Sequence, residues 1–549
     1  MMKKELLLIS LLLLLSFPAV KALLQPGGYT SHDMTDHIIR QISMDDILSE
    51  GQFPPRWSGD LNQGYGYPVF LFNYPLPALI AEIFHKLGFN FVYSLKAVLF
   101  SSMIVSVFAM YFFLKELLGS KMAASLGAIF YLYAPIRFLN VYVSAAIGSA
   151  LALAFVPFIF WSIVKLSKKV SYFAVLVGSI SLTALITSHN VTALIFAPVI
   201  LAFAWVVGRR KGMKEIGIMF LIGFGLSAWF WIPATFERQY IRFDEFFSSF
   251  YKDQFPSLWQ LLRSPWGYGL SHPERPEPGD MSYQLGLIHI TVILVYGLWF
   301  MVYGRKNKDN ILGVFVLTTF FLSIFLILRI SLPLWDNTPF LSLVQFPLRF
   351  SAIAIFSASI AAALLVKYLP FKKVVFISLL LLVLYANRNH LNINQVFDPG
   401  ERYYLELKRV SSNFGEHLPK WGRVAVQPAN GKLEFISGDG EIKMIKSQSA
   451  HILAQVEATT SARLRLNQFY FPGWEIEVDE KKVEFNYLIS GESYGLPMFD
   501  IDEGTRKIEA QFKNTPIRNL SDTTSLVAWL AWMIMLMRII YIKIKSILR

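Results

Sequence analysis

Apolar runs of about 18 or more residues recur along this chain, each long enough to carry a helix across the ~30 Å hydrocarbon core of a bilayer. In hydrocarbon, backbone N–H and C=O groups must bond internally, and runs of this length without strand alternation meet that requirement as helices. Candidate spans fall at roughly 5–25, 91–114, 121–138, 146–166, 171–188, 191–207, 215–235, 285–303, 310–330, 346–366, 372–387 and 523–541. Only 16% of the 549 residues are charged, against roughly 25% in a soluble domain. The expected fold class is therefore mainly α: a polytopic helical membrane protein of about twelve transmembrane helices.

The net charge of +13 lies in short basic clusters between spans. That is a topology signal rather than a binding stripe, and it argues against a nucleic-acid partner. The clusters are Lys3/Lys4, Lys115/Lys121, Lys165/Lys168/Lys169, Arg209/Arg210/Lys211/Lys214, Arg305/Lys306/Lys308, Lys367/Lys372/Lys373 and Lys543/Lys545/Arg549. They mark every alternate loop, which predicts both termini on the cytoplasmic side of the cytoplasmic membrane. Residues 1–22 read as an uncleaved first span or as a signal peptide ending near Val20-Lys21-Ala22; both deliver residue 26 to the outside. Residues 68–86 are apolar but broken by Pro68, Pro75 and Pro77, and counting them as a crossing would place later basic clusters outside. They read as an interfacial or re-entrant element whose Tyr67, Phe70, Phe72 and Tyr74 sit at headgroup level. There is no cysteine, which excludes disulfides, thiolate nucleophiles and cysteine-bound zinc.

Residues 1–387 are expected to form the transmembrane domain, with a first outer loop at 26–90. Residues 388–522 show strand alternation, in 433–436, 441–445, 475–478, 483–487 and 506–512. Ser437-Gly438-Asp439-Gly440 reads as a hairpin turn between the first two. The segment is expected to be an extracytoplasmic β-sandwich-like domain. Residues 523–549 would supply the last span and a basic tail.

Chemistry-bearing residues concentrate in the first outer loop. Asp33 and Asp36 are candidates for general base or acceptor-orienting group; equally, one of them could cap a helix beginning near His37. His32 and His37 could share that work or bind a divalent cation, although His32-Asp33-xxx-His37 is a weak metal spacing. The cofactor is left open, a divalent cation among the options. Arg56 could hold a phosphate bidentately beside Trp57, or anchor at the interface. His189 and Asn190 lie at the outer end of the fifth span, where polar groups are costly unless used; a helix-terminus turn is the plainer reading. Glu237 and Arg238 follow the seventh span. Trp266 and Tyr268 are sugar platforms or interfacial aromatics. Arg349, beside Gln345, begins the tenth span, placed to meet a lipid phosphate or to snorkel.

Several of these pieces occur in order: His32-Asp33…His37…Arg40, Gly51-Gln52-Phe53-Pro54-Pro55-Arg56-Trp57, Gly64-Tyr65-Gly66-Tyr67-Pro68, Ser188-His189-Asn190, Trp266-Gly267-Tyr268-Gly269, Gln345-Phe346-Pro347-Leu348-Arg349 and Phe469-Tyr470-Phe471-Pro472-Gly473-Trp474. The set resembles the GT-C superfamily of polytopic membrane glycosyltransferases. Its closer resemblance is to the bacterial YfhO-like membrane proteins and the group labelled 6-pyruvoyl-tetrahydropterin synthase-related. The resemblance implies inverting transfer of a sugar from a polyprenyl-phosphate-linked donor to a glycan, lipid or protein acceptor on the extracytoplasmic face. By position it implies Asp33, then Asp36, as the catalytic carboxylate, and Arg349 and Arg56 as holders of the donor phosphate. One departure stands out: where relatives would carry an arginine and a glutamate in the second outer loop, this chain has Ser144 and Ser149. That keeps a non-catalytic assembly factor beside the transferase as an alternative. A lipid or glycan transporter is a third reading, and it is short of the mid-span charges such proteins use.

Overall fold

The computed structural model describes residues 2–208, 212–304, 310–412, 414–491 and 493–547. Helices occupy all twelve apolar segments. Among the described residues, seven are long and apolar enough to cross a bilayer: Leu7–Leu24, Phe91–Leu118, Ile147–Lys168, Asn190–Val207, Asn310–Ile327, Pro347–Tyr368 and Pro516–Ser546. Two further segments are bent pairs, Lys121–Leu132 with Pro135–Val143 at 51° and Met213–Leu226 with Ala228–Phe236 at 69°. Tyr172–Ser188 and Leu287–Tyr303 are apolar but shorter. The count of twelve crossings thus stays an expectation.

Small residues bring the central helices together. Ser351–Tyr368 carries Ala352, Ala354, Ala358, Ala361, Ala362 and Ala363, all buried. A side chain at Gly127 would meet Leu114 and lie 2.8 Å from the Ser359 carbonyl oxygen, so the 121–132 helix approaches at backbone distance, as small-residue interfaces in membranes permit. Large apolar side chains such as Trp205, Leu221 and Leu298 point outward, where a lipid-facing surface would be.

Ion pairs gather several basic residues at one end of this bundle. Glu5 binds Lys115 and Lys121, and Glu116 binds Lys165 and Lys168. Arg209, Arg210, Lys211, Arg305, Lys306, Lys308 and Arg549, with the side chains of Lys3 and Lys4, lie outside the described residues.

Among the described residues, ten strands complete the fold. β1 (Gly28–Tyr29) pairs with β2 (Val396–Phe397) and so ties the first loop to the segment following the 372–386 helix. The others are β3 (Leu433–Ser437), β4 (Gly440–Ser447), β5 (His451–Ala458), β6 (Ala462–Leu466), β7 (Trp474–Val478), β8 (Lys481–Lys482), β9 (Met498–Ile501) and β10 (Gly504–Phe512). They form a five-stranded sheet ordered β4-β5-β10-β7-β8 and a three-stranded sheet ordered β3-β6-β9. Ile452, Ala454 and Val456 of the first and Leu464, Leu466, Phe499 and Ile501 of the second share one core.

The expected hairpin does not form. Leu433 pairs opposite Leu466 on β6, whereas β4 pairs with β5. The turn at Ser437–Gly440 carries the chain between sheets, because alternation marks a strand without naming its partner. Residues 483–487 are not a strand; Asn486 makes one bridge to Met498. A second correction concerns residues 68–86. They fold as two short helices, Val69–Phe72 and Leu76–Lys86. Tyr67 and Phe70 are 1% exposed and Phe72 is 6% exposed, so their rings fill protein cores rather than a headgroup layer. Aromatic character alone does not separate those two environments. Trp57, Leu71 and Phe72 of the first loop enter the core of the two sheets.

Candidate functional site

The site grows from the helix Met34–Ser49. Its start is fixed by backbone bonds from His32 N–H to the Val143 carbonyl (3.1 Å) and from Asp33 N–H to the Ser144 carbonyl (3.0 Å). Asp33 stands at the N-cap, yet its side chain makes no capping bond. Helical spacing puts Asp33, Asp36, His37 and Arg40 on one face. Asp36 accepts a hydrogen bond from Arg409 Nη2 at 2.7 Å. Arg40 donates to Ser411 Oγ from Nε (3.2 Å), to the Ser411 carbonyl from Nη2, and to His37 Nδ1 from Nη1 (3.4 Å). Tyr67 supports this arrangement: its hydroxyl lies 2.8 Å from Ser411 Oγ and accepts the Ser411 N–H.

Asp33 differs from its neighbours. Among the described residues its carboxylate has no hydrogen bond and no cation within 4 Å. Burial pushes its pKa above the ordinary carboxylate value, although Arg40, His32 and Arg349 oppose the shift. Part of its surface is still open. Burial likewise raises Asp36, against the opposing pull of Arg40 and Arg409.

The facing wall comes from three other regions. His189 caps the helix Asn190–Val207, taking the Thr192 N–H on Nδ1 at 3.0 Å, and its Nε2 lies 3.4 Å from Ser149 Oγ. Tyr74 packs on the imidazole with ring centres 5.0 Å apart. Gly148 makes that approach possible: a Cβ there would run into the Tyr74 ring and lie 2.6 Å from the Ser188 carbonyl oxygen. Arg349 donates from Nη1 to the Val344 carbonyl and to Gln345 Oε1, both at 2.8 Å, and sits over the Phe346 ring. It is within electrostatic reach of Asp33 and Tyr74. Two non-glycine residues with left-handed backbones, Ala145 (φ 52°) and Gln345 (φ 64°), flank this wall. Such conformations cost on the order of 1–3 kcal/mol and tend to cluster at functional sites.

The structure thus brings Asp33, Asp36, His37, His189, Gln345 and Arg349 together. His32 joins the edge, with Nε2 2.9 Å from the Gly269 carbonyl oxygen and 3.3 Å from that of Tyr268. Tyr268 donates its hydroxyl to the Asn392 carbonyl, and Trp266 packs on His390 at 4.2 Å. The remaining candidates lie elsewhere. Arg56 binds Asp522 at 2.5 Å and also Asn514. Trp57 donates to Gln468 Oε1 at 2.7 Å. Glu237 binds Arg518 at 2.9 Å. Arg238 lies 3.5 Å from Asp244 on the surface.

Arg409 and Ser411 were not singled out by the sequence, nor were Glu416 and His417, which lie within electrostatic reach of Arg40; Tyr74 was read only as a headgroup-level aromatic, and Arg40 only as part of a pattern. The run Arg409…Ser411-Ser412…Glu416-His417 carries the same signal as the first loop, polar residue types in unusual density. Among the described residues no three or more His, Asp or Glu side chains are placed to hold a metal ion. A cavity of about 710 Å³ lies apart from this cluster, lined by Phe255, Gln260, Glu274 and Arg329 among others.

No family model matches the chain. An uncharacterized protein of Lactococcus lactis subsp. cremoris (strain MG1363) is 27% identical over 219 residues, 37% of this chain and 35% of that protein. The apo crystal structure of the Archaeoglobus fulgidus oligosaccharyltransferase aligns with a TM-score of 0.46 at 13% identity, covering 73% of this chain and 60% of that one. Arabinofuranosyltransferase AftD from Mycobacteria, in a cryo-EM structure of a mutant, aligns with a TM-score of 0.43 at 13% identity, covering 71% and 28%. The chain spans about a third of the curated relative and 60% or less of these two structures. Likeness of this degree assigns neither family nor activity.

Proposed function

We propose that the chain is an inverting membrane glycosyltransferase of GT-C type, closest in motif pattern to the YfhO-like proteins. It would take a sugar from a polyprenyl-phosphate-type lipid and pass it to a glycan, lipid or protein acceptor on the extracytoplasmic face. The observation that carries this reading is Asp33: a carboxylate without a hydrogen-bond or ion-pair partner among the described residues, within electrostatic reach of Arg40, His32 and Arg349. In the proposed step Asp33 takes the proton of an acceptor hydroxyl. The hydroxyl oxygen bonds to the anomeric carbon as the carbon–oxygen bond to phosphate breaks, and the phosphate leaves with that electron pair. Arg349 and Arg40 offset the charge developing on it, the electrostatic contribution that fixed cations supply best in a site shielded from water. Asp36, bonded to Arg409, would orient the helix face. Both termini on the cytoplasmic side would put this cluster outside.

The second reading, a non-catalytic assembly factor, draws on Ser149. It stands against His189 where the resemblance leads one to expect a charged residue.

The test is sugar transfer in proteoliposomes with a panel of radiolabelled polyprenyl-phosphate sugars, wild type against Asp33→Asn. Turnover that collapses in the variant supports the transferase and its base. Turnover equal in both removes Asp33 from that role. Donor binding without turnover for any acceptor class supplied favours the second reading.

A further inference from the structure

The hydrogen bonds around His37 and His189 fix which ring nitrogen carries the proton. A guanidinium N–H is always a donor, so His37 Nδ1, 3.4 Å from Arg40 Nη1, must be the acceptor. A backbone N–H is always a donor too, so His189 Nδ1, 3.0 Å from Thr192 N, must also accept, and the Thr192 hydroxyl 2.8 Å away can donate to the same nitrogen. In the neutral ring the other nitrogen then bears the hydrogen. Both rings therefore present Nε2–H. That of His37 is buried and has no partner among the described residues, the residue being 5% exposed. That of His189, also 5% exposed, has only Ser149 Oγ at 3.4 Å. The two rings lie within each other's electrostatic reach, and His189 lies within that of Arg349. Burial first, and Arg40 second, hold His37 well below the ordinary imidazole pKa, in keeping with a neutral ring.

We propose that His37 and His189 are locked as neutral Nε2–H donors which, with Arg349, hold phosphate oxygens of the donor substrate, and that neither ring can serve as the base. Each ring has one nitrogen already accepting and the other already protonated, so it has nowhere to receive a proton without breaking a native bond. Proton acceptance then falls to Asp33. An unpaired buried N–H carries a desolvation cost of roughly 1–3 kcal/mol, and a phosphate oxygen relieves it with a charge-assisted bond. The phosphate assignment rests on the proposed function; the tautomer assignment does not.

The experiment is NMR of the full-length chain in detergent at pH 7, with ¹⁵N-labelled histidine and the two rings assigned through His37→Gln and His189→Gln. Farnesyl phosphate and inorganic phosphate are added in separate titrations. The expected result is a protonated Nε2 and bare Nδ1 in both rings, with both Nε2–H signals moving on addition of farnesyl phosphate. His37→Ala should weaken that binding about 10- to 100-fold, the range for a bond to a charged group. His37→Gln, which keeps an N–H near the same point, should retain most of it. A proton on Nδ1 of either ring, or Nε2–H signals that ignore saturating farnesyl phosphate, overturns the proposal. Equal shifts with inorganic phosphate support the oxyanion site and take the lipid out of its recognition. If His37→Ala does not fold, the wild-type titration and His37→Gln still decide the matter. Prenyl phosphate bound through both rings without sugar transfer would refute the transferase and keep this inference. Transfer at full rate in the His37→Ala/His189→Ala double variant would do the reverse.

Discussion

Two clusters of buried charge sit at different places in this protein, and they are built on opposite plans. Where the two sheets meet the last helix, each of the two buried arginines has its carboxylate: Glu237 and Arg518 lie 2.9 Å apart at 3% and 0% side-chain exposure, and Arg56 meets Asp522 at 2.5 Å. On the 34–49 helix, Asp36 is likewise closed by Arg409, but Asp33, three residues away, is not. A buried carboxylate gains most from a cation in direct contact, and breaking such a pair is strongly destabilising. The fold meets this need at Glu237 and Asp522 and leaves Asp33 short of it. Perturbed, partnerless titratable groups of this kind are candidates for functional sites.

The comparison breaks most visibly if Asp33→Asn fails to separate activity from stability. Sugar transfer should fall by about 10²–10⁴, while the unfolding midpoint in detergent holds or rises, since an unpaired charge is removed. A midpoint that drops would place Asp33 in the same class as Glu237. The mirror experiment is Glu237→Ala, which leaves the Arg518 guanidinium buried alone. It should cost about 3–5 kcal/mol of stability, read by denaturant unfolding, with donor KM unchanged in the folded fraction. Next comes Arg349→Gln, expected to weaken donor binding about 10- to 100-fold, as loss of a bond to a charged group predicts; Arg56→Gln should act on stability instead. The smallest effect is in the pH profile. Asp33 must be ionised to accept a proton, and its pKa is raised, so transfer should fail on acidification above the pH at which an ordinary carboxylate titrates. Stability should move the other way. The folded state holds that proton more tightly than the unfolded chain, so Asp33's contribution improves as pH falls through the window between its raised and its ordinary pKa. A profile insensitive to Asp33→Glu would unseat the assignment.

The helical segments were legible because burial in hydrocarbon leaves a continuous apolar run, and the concentration of Asp, His and Arg in the first outer loop coincides with the cluster around Asp33. Which of those residues share a site was not legible. Arg40 meets Ser411, 371 positions away, and Tyr67 meets the same residue; nothing in the local sequence encodes such pairings. Arg56 and Trp57 belong to a stretch as rich in chemistry as Asp33's, yet the two Arg56 Nη groups and the Trp57 indole N–H are taken up by Asn514, Asp522 and Gln468. The alternation in 433–445 located two strands but not their partners, since period-two patterning fixes which face is buried and says nothing of which strand lies alongside.

Trp57 has a consequence for how this protein is made. It donates to Gln468, 411 residues further on, and packs edge-on against Trp474. At about 5–20 residues per second, a ribosome needs roughly 20–80 s to supply that partner after the first loop emerges. During that wait a large indole and its neighbours stand without their core. The first loop therefore precedes by 411 residues the side chain that completes its packing, and it is among the last parts of the described fold to be finished.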